Sequence, residues 1–288
     1  MKSYKLAWGE HRLDFGKRTC MMGILNVTPD SFSDGGKFIT FDDAVAQGYS
    51  LFENGADILD IGGESTRPFS NPVSVEEEIS RVVPVIEKLS KRIPIPISVD
   101  TTKADVAEQA IKAGASIIND ISSLNFDPKM ANIAVDYGVP VILMHMLGNP
   151  KTMQAAPFYD DLIGEIKTFL ENAIDQAENK GISRSKIIID PGIGFGKTVG
   201  HNLLLIQRLH EFETLEVPIM IGTSRKAFIR NILKDDTVEE INAGSAMVES
   251  GTQASVAAAI LNGAHIVRVH DVADTRVTVK IIDAIKNA

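Results

Sequence analysis

Short apolar runs that end abruptly on a polar side chain recur along the chain. They fall at Met21–Asn26, Asp57–Asp60, Ile95–Asp100, Ser116–Asn119, Pro140–His145, Lys186–Asp190, Pro218–Gly222 and His265–His270. Each is rich in β-branched residues and apolar at successive positions, which is how a strand buried on both faces reads. Helical patterns lie between them. Ala44, Val45, Gly48, Leu51 and Phe52 share one helix face, as do Ile79, Val82, Val83, Ile86 and Leu89, with a kink expected at Pro84. Leu162, Ile166, Phe169, Leu170, Ala173, Ile174 and Ala177 make the clearest stripe. Gly55, Gly114 and Gly263 each precede an alanine and then a strand, the place where a left-handed residue stops a helix.

Eight buried strands alternating with helices predict an α/β fold, a (β/α)₈ TIM barrel. The rival, a doubly wound open sheet, calls for a dinucleotide fingerprint after its first strand. Val27–Gly36, which follows the first run, cannot serve as one. Tyr4–Phe15 reads as a β-hairpin turning near Gly9 and Glu10, so the chain is expected to be one barrel domain over residues 1–288 with residues 1–17 capping its bottom. In this fold the active site lies at the C-terminal strand ends. Asn26, Asp60, Asp100, Asn119, His145, Asp190, Ser224, Arg268 and His270 stand there. Any one alone reads as a helix cap or turn residue. Polar groups at nearly every strand end, converging on one mouth, call for a ligand.

Amides and carboxylates dominate that mouth. Asp100, Asn119 and Asp190 suit a flat heterocycle with alternating N–H, NH₂ and C=O groups, because a carboxylate can accept two parallel N–H bonds. Cationic groups gather near the last two strands: Arg225, Lys226, Arg268 and His270. Barrels often bind phosphate there. For Arg268 the plainer reading is an ion pair with one of the aspartates. Ser224–Lys226 is expected to open a helix whose free N–H groups favour an anion. Two long loops, Val27–Thr40 and Gly62–Ser74, read as lids. Gly192–Thr198 looks like a P-loop ending, but Pro191 stands where that motif needs glycine. It reads as a tight turn with Phe195 exposed towards the mouth.

Composition narrows the partners. The chain has 288 residues, 44% hydrophobic and 23% charged, enough for a sizeable core. Its net charge of −9 disfavours nucleic acid, which needs a basic face. The single cysteine, Cys20, excludes a disulfide within the chain and suits a reducing compartment. The N-terminus lacks the apolar core of a signal peptide, and no run approaches the ~18 apolar residues of a membrane helix. A cytoplasmic enzyme of small molecules, bound to neither membrane nor nucleic acid, is the expectation.

Taken together, several segments resemble the dihydropteroate synthase family of pterin-binding barrels. They are Met22–Gly36, Asp60–Pro68, Ser98–Thr101, Ile118–Asp120, Met144–Met153, Asp190–Lys197, Gly222–Lys226 and Arg268–Asp271, in order and about one per strand. The resemblance implies a transferase of folate biosynthesis that joins 6-hydroxymethyl-7,8-dihydropterin diphosphate to p-aminobenzoate, releasing pyrophosphate with Mg²⁺. It implies a pterin site of Asp100, Asn119, Asp190, Lys226 and Met144. Pyrophosphate falls to Asn26, Thr66, Arg67, Arg268 and His270, with Asn26 also at Mg²⁺. The p-aminobenzoate site is implied to be Ser224, Phe195, Pro68 and Thr66. Asp100, Lys226, Arg268 and Asp34 would carry catalysis. The family is a sulfonamide target and usually dimerises through its late helices.

Two departures stand out. Phe69 follows Arg67-Pro68 where the family often has glycine, which bears on analogue binding. The stretch Asp235–Gly263 looks long, so extra helix is expected on the outer ring, where it could alter a dimer interface. Two alternatives share the pterin edge: a corrinoid methyltransferase pterin domain, and a pterin-binding paralogue without turnover. Ser224–Lys226 and Arg268–His270 argue against the first, and the presence of Asp100, Lys226 and Arg268 against the second.

Overall fold

The structure is a computed structural model, which describes residues 2–28, 40–65, 72–148, 152–234 and 241–288. The opening hairpin pairs β1 (Tyr4–Trp8) with β2 (His11–Phe15). The barrel strands follow: β3 (Cys20–Asn26), β4 (Ile58–Gly62), β5 (Ile97–Asp100), β6 (Ile117–Asp120), β7 (Val141–Met144), β8 (Ile187–Asp190), β9 (Met220–Ile221) and β10 (Ile266–Val269). All their pairings are parallel, in the order β8-β7-β6-β5-β4-β3-β10-β9. The ring closes through one bridge, Ile189 to Ile219. The predicted eight-stranded barrel is therefore the observed one.

Strand limits differ where backbone chemistry intervenes. Lys186 ends a 3₁₀ turn rather than starting β8. Pro96 lacks an N–H and delays β5 to Ile97, and Pro218 likewise shortens β9.

The helices are α1 (Phe41–Glu53), α2 (Val75–Ser90), α3 (Ala104–Lys112), α4 (Met130–Tyr137), α5 (Leu162–Asn179), α6 (Val199–Gln207), α7 (Ala227–Leu233), α8 (Ala246–Leu261) and α9 (Val272–Lys286). Thr40, Ser74, Asp161, Thr198, Ser245 and Asp271 each cap a helix start by accepting a backbone N–H. Gly55, Gly114 and Gly263 have φ of +105°, +115° and +110°, as their place after a helix requires. Pro84 does not end α2. It lies on the exposed face, so the Ser80 carbonyl it deprives of a partner also faces outward. Two helices, α7 and α8, follow β9 before β10, and α8 occupies most of the described part of the stretch between Asp235 and Gly263.

Alternation along the strands divides the core in two. Met21, Leu59, Ile61, Val99, Ile118, Leu143, Ile189, Ile221 and Val267 point outward into the helix layer. Cys20, Met22, Ile58, Ile117, Ile142, Ile188, Met220 and Ile266 point inward and pack with Leu6, Trp8, Leu13 and Phe15 of the hairpin. His265 ties the two together. Its Nδ1 accepts the Ile219 N–H at 3.1 Å, its Nε2 donates to the Lys2 carbonyl at 3.0 Å, and its ring meets Tyr4 and Phe15 edge-on. Inward parity, carried upward by twos, brings Asp60, Gly62, Ser98, Asp100, Asn119, Met144, Asp190 and Arg268 into the barrel interior.

Candidate active site

The register places much of the site in one row. Asn26 pairs with Gly62, Gly62 with Asp100, and Asp100 with Asn119, across four adjacent strands. Met144 and Asp190 are paired with each other two residues higher than the level of Asn119. Five of the residues expected to bind thus line one wall because their strands are in register, not because a loop happens to fold over.

A buried ion-pair network crosses beneath them. Arg268 donates from Nε to Asp60 Oδ2 at 2.6 Å and from Nη2 to Asp100 Oδ2 at 2.7 Å. The ion-pair reading of Arg268 is therefore realised, twice over. Asp60 is fully buried, and its Oδ2 also accepts from Asn119 Nδ2 at 3.0 Å. That bond sets the Asn119 amide, with its NH₂ turned to Asp60. Asp60 stood among the strand-end residues but not among those expected to bind. It lies one pleat below the mouth and anchors two that were expected to, Asn119 and Arg268.

The electrostatics follow from burial and neighbours. Burial pushes the Asp100 carboxyl up to about 7, with Asp60, Glu78 and Asp120 adding to the rise and Arg268 opposing it. Burial also raises Asp190, although its bond from the Gly192 N–H (2.7 Å) and the charges of Lys226, Arg268 and Lys197 pull the other way. Lys226 falls to about 8, through burial and then the charge of Arg268. It stays mainly protonated at neutral pH, and its Nζ sits 4.2 Å from the centre of the Phe195 ring.

Phe195 is not exposed as expected. It is 8% accessible and packs with Ile121, Met144, Met146 and Met153. The glycines around it let the turn lie flat on the β7 end: a Cβ at Gly192 would stand 1.9 Å from the His145 carbonyl oxygen. Ser224 bonds His270. The His270 N–H reaches Ser224 Oγ at 3.2 Å, and Oγ lies 2.9 Å from His270 Nδ1. With Oγ accepting the N–H, its own proton turns to Nδ1 and leaves Nε2 protonated. Arg225 takes φ +57° in the turn that leads from Ser224 to α7 and pairs with Glu249.

The expected residues Asp34, Thr66, Arg67 and Pro68, together with Phe69, most of the first lid and the middle of the second, lie outside the described residues. Of the second lid's base, Glu64 is described: it accepts the Val73 N–H and pairs with Lys103, which also holds buried Glu78. Lys197 is a residue the sequence reading passed over. A lysine after Gly-x-Gly reads as solvated, yet it is 3% accessible, with Nζ 3.0 Å from both His145 Nδ1 and the Phe195 carbonyl oxygen. Burial lowers it to about 7 and His145 to about 2.

Among the described residues no group of three His, Cys, Asp or Glu side chains could hold a metal. The hard oxygen donor at the expected place is the Asn26 amide. Mg²⁺ keeps most of its waters and binds through one or two protein oxygens plus substrate phosphates. One amide oxygen fits an ion carried on a diphosphate.

Comparison with known proteins agrees with this geometry. The pterin binding enzyme family matches residues 22–270. Dihydropteroate synthase of Synechocystis sp. is 46% identical over 278 residues, 96% of this chain and 93% of that one. A crystal structure of Yersinia pestis dihydropteroate synthase with a sulfonamide drug complex superposes with a TM-score of 0.92 at 42% identity, covering 99% of this chain and 100% of the other. Xanthomonas albilineans dihydropteroate synthase with 4-aminobenzoic acid gives a TM-score of 0.88 at 42% identity and covers 100% of both chains. With a family match over most of its length and relatives this similar end to end, the chain belongs to the dihydropteroate synthases among the pterin-binding enzymes.

Proposed function

We propose that Asp100 and Asn119, with Met144, Asp190 and Lys226, bind the pterin of 6-hydroxymethyl-7,8-dihydropterin diphosphate. The observation that carries this is the pair of aspartates lining one wall, Asp190 buried and Asp100 half-buried, with the Asn119 amide in register with Asp100. Ionised carboxylates accept the N–H and NH₂ groups of an aminopyrimidinone edge, and Lys226 donates to its carbonyl or ring nitrogen. Met144 supplies an apolar, polarisable surface for the ring.

The reaction moves the pterin methylene from a diphosphate oxygen to the amino nitrogen of p-aminobenzoate. The electron-rich pterin can share positive charge at that carbon, so the C–O bond stretches before the amine attacks. An aniline-type amine is neutral at pH 7, so no strong base need activate it. The chain's task is to fix both partners, exclude water and stabilise the leaving group. Arg268 and His270, alternate residues at the end of β10, are assigned to pyrophosphate. Asn26 would hold Mg²⁺ together with the diphosphate, and the ion would supply charge neutralisation to the leaving group. Ser224 and Phe195 are assigned to p-aminobenzoate, the first to its carboxylate and the second to its ring. Asp100, Lys226 and Arg268 are the residues proposed to carry catalysis.

The chain is proposed to work as one barrel whose floor is the hairpin, in the cytosol, where the buried thiol of Cys20 suits a reducing compartment. It is also proposed to pair with a second copy through α6, α7 and α8. An apolar groove of about 940 Å³ runs between these helices, lined by Leu203, Leu204, Phe228, Ile232, Ala254 and Ala258. Leu203 and Ile232 are 46% and 51% accessible on its rim. Light scattering at micromolar concentration tests this, and a monomer mass refutes it.

The decisive assay is pyrophosphate release with the pterin diphosphate, with and without p-aminobenzoate and Mg²⁺. Release that requires both supports the assignments. Release indifferent to p-aminobenzoate overturns the amine subsite.

A further inference from the structure

The turn from Asp190 to Lys197 is tied down at successive main-chain groups by its own end residues and by side chains from two other places. Its N–H groups come first: Gly192 donates to Asp190 Oδ1 and Gly194 to Asn202 Oδ1 of α6, both at 2.7 Å. Three consecutive carbonyls then each take a different side-chain donor. Gln154 Nε2 donates to the Gly194 carbonyl, Lys197 Nζ to that of Phe195 at 3.0 Å, and Tyr159 Oη to that of Gly196 at 3.0 Å. The turn needs these partners. Gly192, Gly194 and Gly196 have φ of +73°, +82° and +66°, so its carbonyls follow no sheet or helix ladder.

Lys197 is the costly member of this set. Burying an ammonium is unfavourable unless it is well paired, and among the described residues no carboxylate comes within ion-pair distance of it. Its partners are a neutral imidazole, His145 Nδ1 at 3.0 Å, and the carbonyl that Phe195 itself carries. A methionine of similar length would fill the space without that cost. What the ammonium contributes is a fixed position for the Phe195 backbone, and through it a fixed ring beneath Lys226 Nζ.

We propose that Lys197 and Tyr159 are positioning residues that hold Phe195 from behind, and thereby set the affinity for p-aminobenzoate and the ranking of its analogues without touching either substrate. The proposal rests on the reading of Phe195 as a ring contact for p-aminobenzoate. It divides the two substrates. The pterin is assigned to strand residues and Lys226, to which this turn makes one hydrogen bond, Gly192 N–H to Asp190, that neither Lys197 nor Tyr159 supplies, whereas the Phe195 ring assigned to p-aminobenzoate is carried by the turn itself.

The test is steady-state kinetics of Lys197→Met, Tyr159→Phe, Phe195→Ala and the Lys197→Met/Phe195→Ala double variant, with each substrate varied in turn. Lys197→Met is expected to raise the KM for p-aminobenzoate about tenfold, the equivalent of one charge-assisted hydrogen bond, while the pterin KM stays within about twofold. Tyr159→Phe is expected to raise it less, in the same pattern. In the Phe195→Ala background the Lys197→Met effect should vanish, because what Lys197 holds is gone.

A KM for p-aminobenzoate unchanged in Phe195→Ala would overturn the ring assignment on which the proposal stands. A raised KM there with none in Lys197→Met or Tyr159→Phe, additive effects in the double variant, or equal rises for both substrates would overturn the positioning role itself. Should Lys197→Met fail to fold, Tyr159→Phe, which deletes one hydroxyl from a half-buried ring, carries the same test.

Discussion

Replacing Asp60 by asparagine removes a charge from beneath the mouth while keeping the shape of the side chain. In the wild type one oxygen of Asp60 takes the Arg268 Nε–H and an Asn119 N–H, and its other oxygen has no hydrogen-bond partner in the protein. An asparagine oxygen in that place can still accept from both donors, but without the negative charge that pairs with Arg268. The direct loss is the charge assistance of the Arg268 bond, about 1–2 kcal/mol. Relief from burying a carboxylate offsets part of it, so a moderate fall in melting temperature is expected.

The larger effect falls on Asp100. Asp60 raises the Asp100 carboxyl, and Arg268 divides its donors between the two. A like charge at contact range is worth up to about 4 kcal/mol at an effective dielectric near 20. One pK unit is about 1.4 kcal/mol. Screened by the guanidinium between them, the removal of Asp60 should lower Asp100 by about one unit.

Asp100 must be ionised to accept the pterin's donors, so kcat/KM for the pterin substrate should rise with pH through about 7 in the wild type. In Asp60→Asn that acid limb should shift to lower pH, while the plateau falls about tenfold from loosened Asn119 and Arg268. Ser98→Ala, a neutral change at the register partner of Asp60, should leave the limb in place. A limb that stays put or moves up in Asp60→Asn would refute the coupling. The stability sign is opposite to that of a salt-bridged carboxylate. Because Asp100 is raised in the fold, its ionisation opposes folding, and stability declines as pH climbs from the ordinary carboxylate range through about 7.

Arg268→Ala should weaken pyrophosphate binding by roughly 2 kcal/mol or more, read as product inhibition. It should also cost about 3–5 kcal/mol of stability in denaturant melts, because Asp60 and Asp100 lose their shared cation. Asp100→Asn should weaken calorimetric binding of the pterin and leave p-aminobenzoate affinity in the preformed complex unchanged; equal pterin affinity would remove Asp100 from the site. His265→Leu should strip partners from the Ile219 N–H and the Lys2 carbonyl. The cost is about 1–3 kcal/mol of stability with kcat unaltered, and a lost kcat would contradict its confinement to the floor.

Much of this was legible in the chain. The apolar runs gave the strands because a strand buried on both faces has nowhere to put a polar side chain except at its end. Asn26, Asp100, Asn119, Asp190 and Arg268 were found on that logic. Asp60 was seen but placed too high: counting inward parity from Ile58 puts it one pleat below Gly62, and only the fold shows Arg268 reaching it. Lys197 was missed for a different reason. Nothing local marks a lysine as buried, and what holds its turn down includes Gln154 and Tyr159, which are remote in sequence. Phe195 was misread because a glycine-flanked aromatic looks exposed until its turn is pressed onto the β7 end.

The closure of the barrel carries a consequence for its dynamics. Seven of the eight strand junctions are ladders, but β8 and β9 meet through a single bridge. Amide exchange should therefore run fastest along that line, where local opening breaks the fewest bonds. Asp190 stands at the end of β8 and Lys226 just beyond β9, on opposite banks of this seam. A pterin gripped by both acts as a clasp, so its binding should slow exchange at Ile189 and Ile219 and raise the melting temperature by closing the ring where the strands themselves do so least.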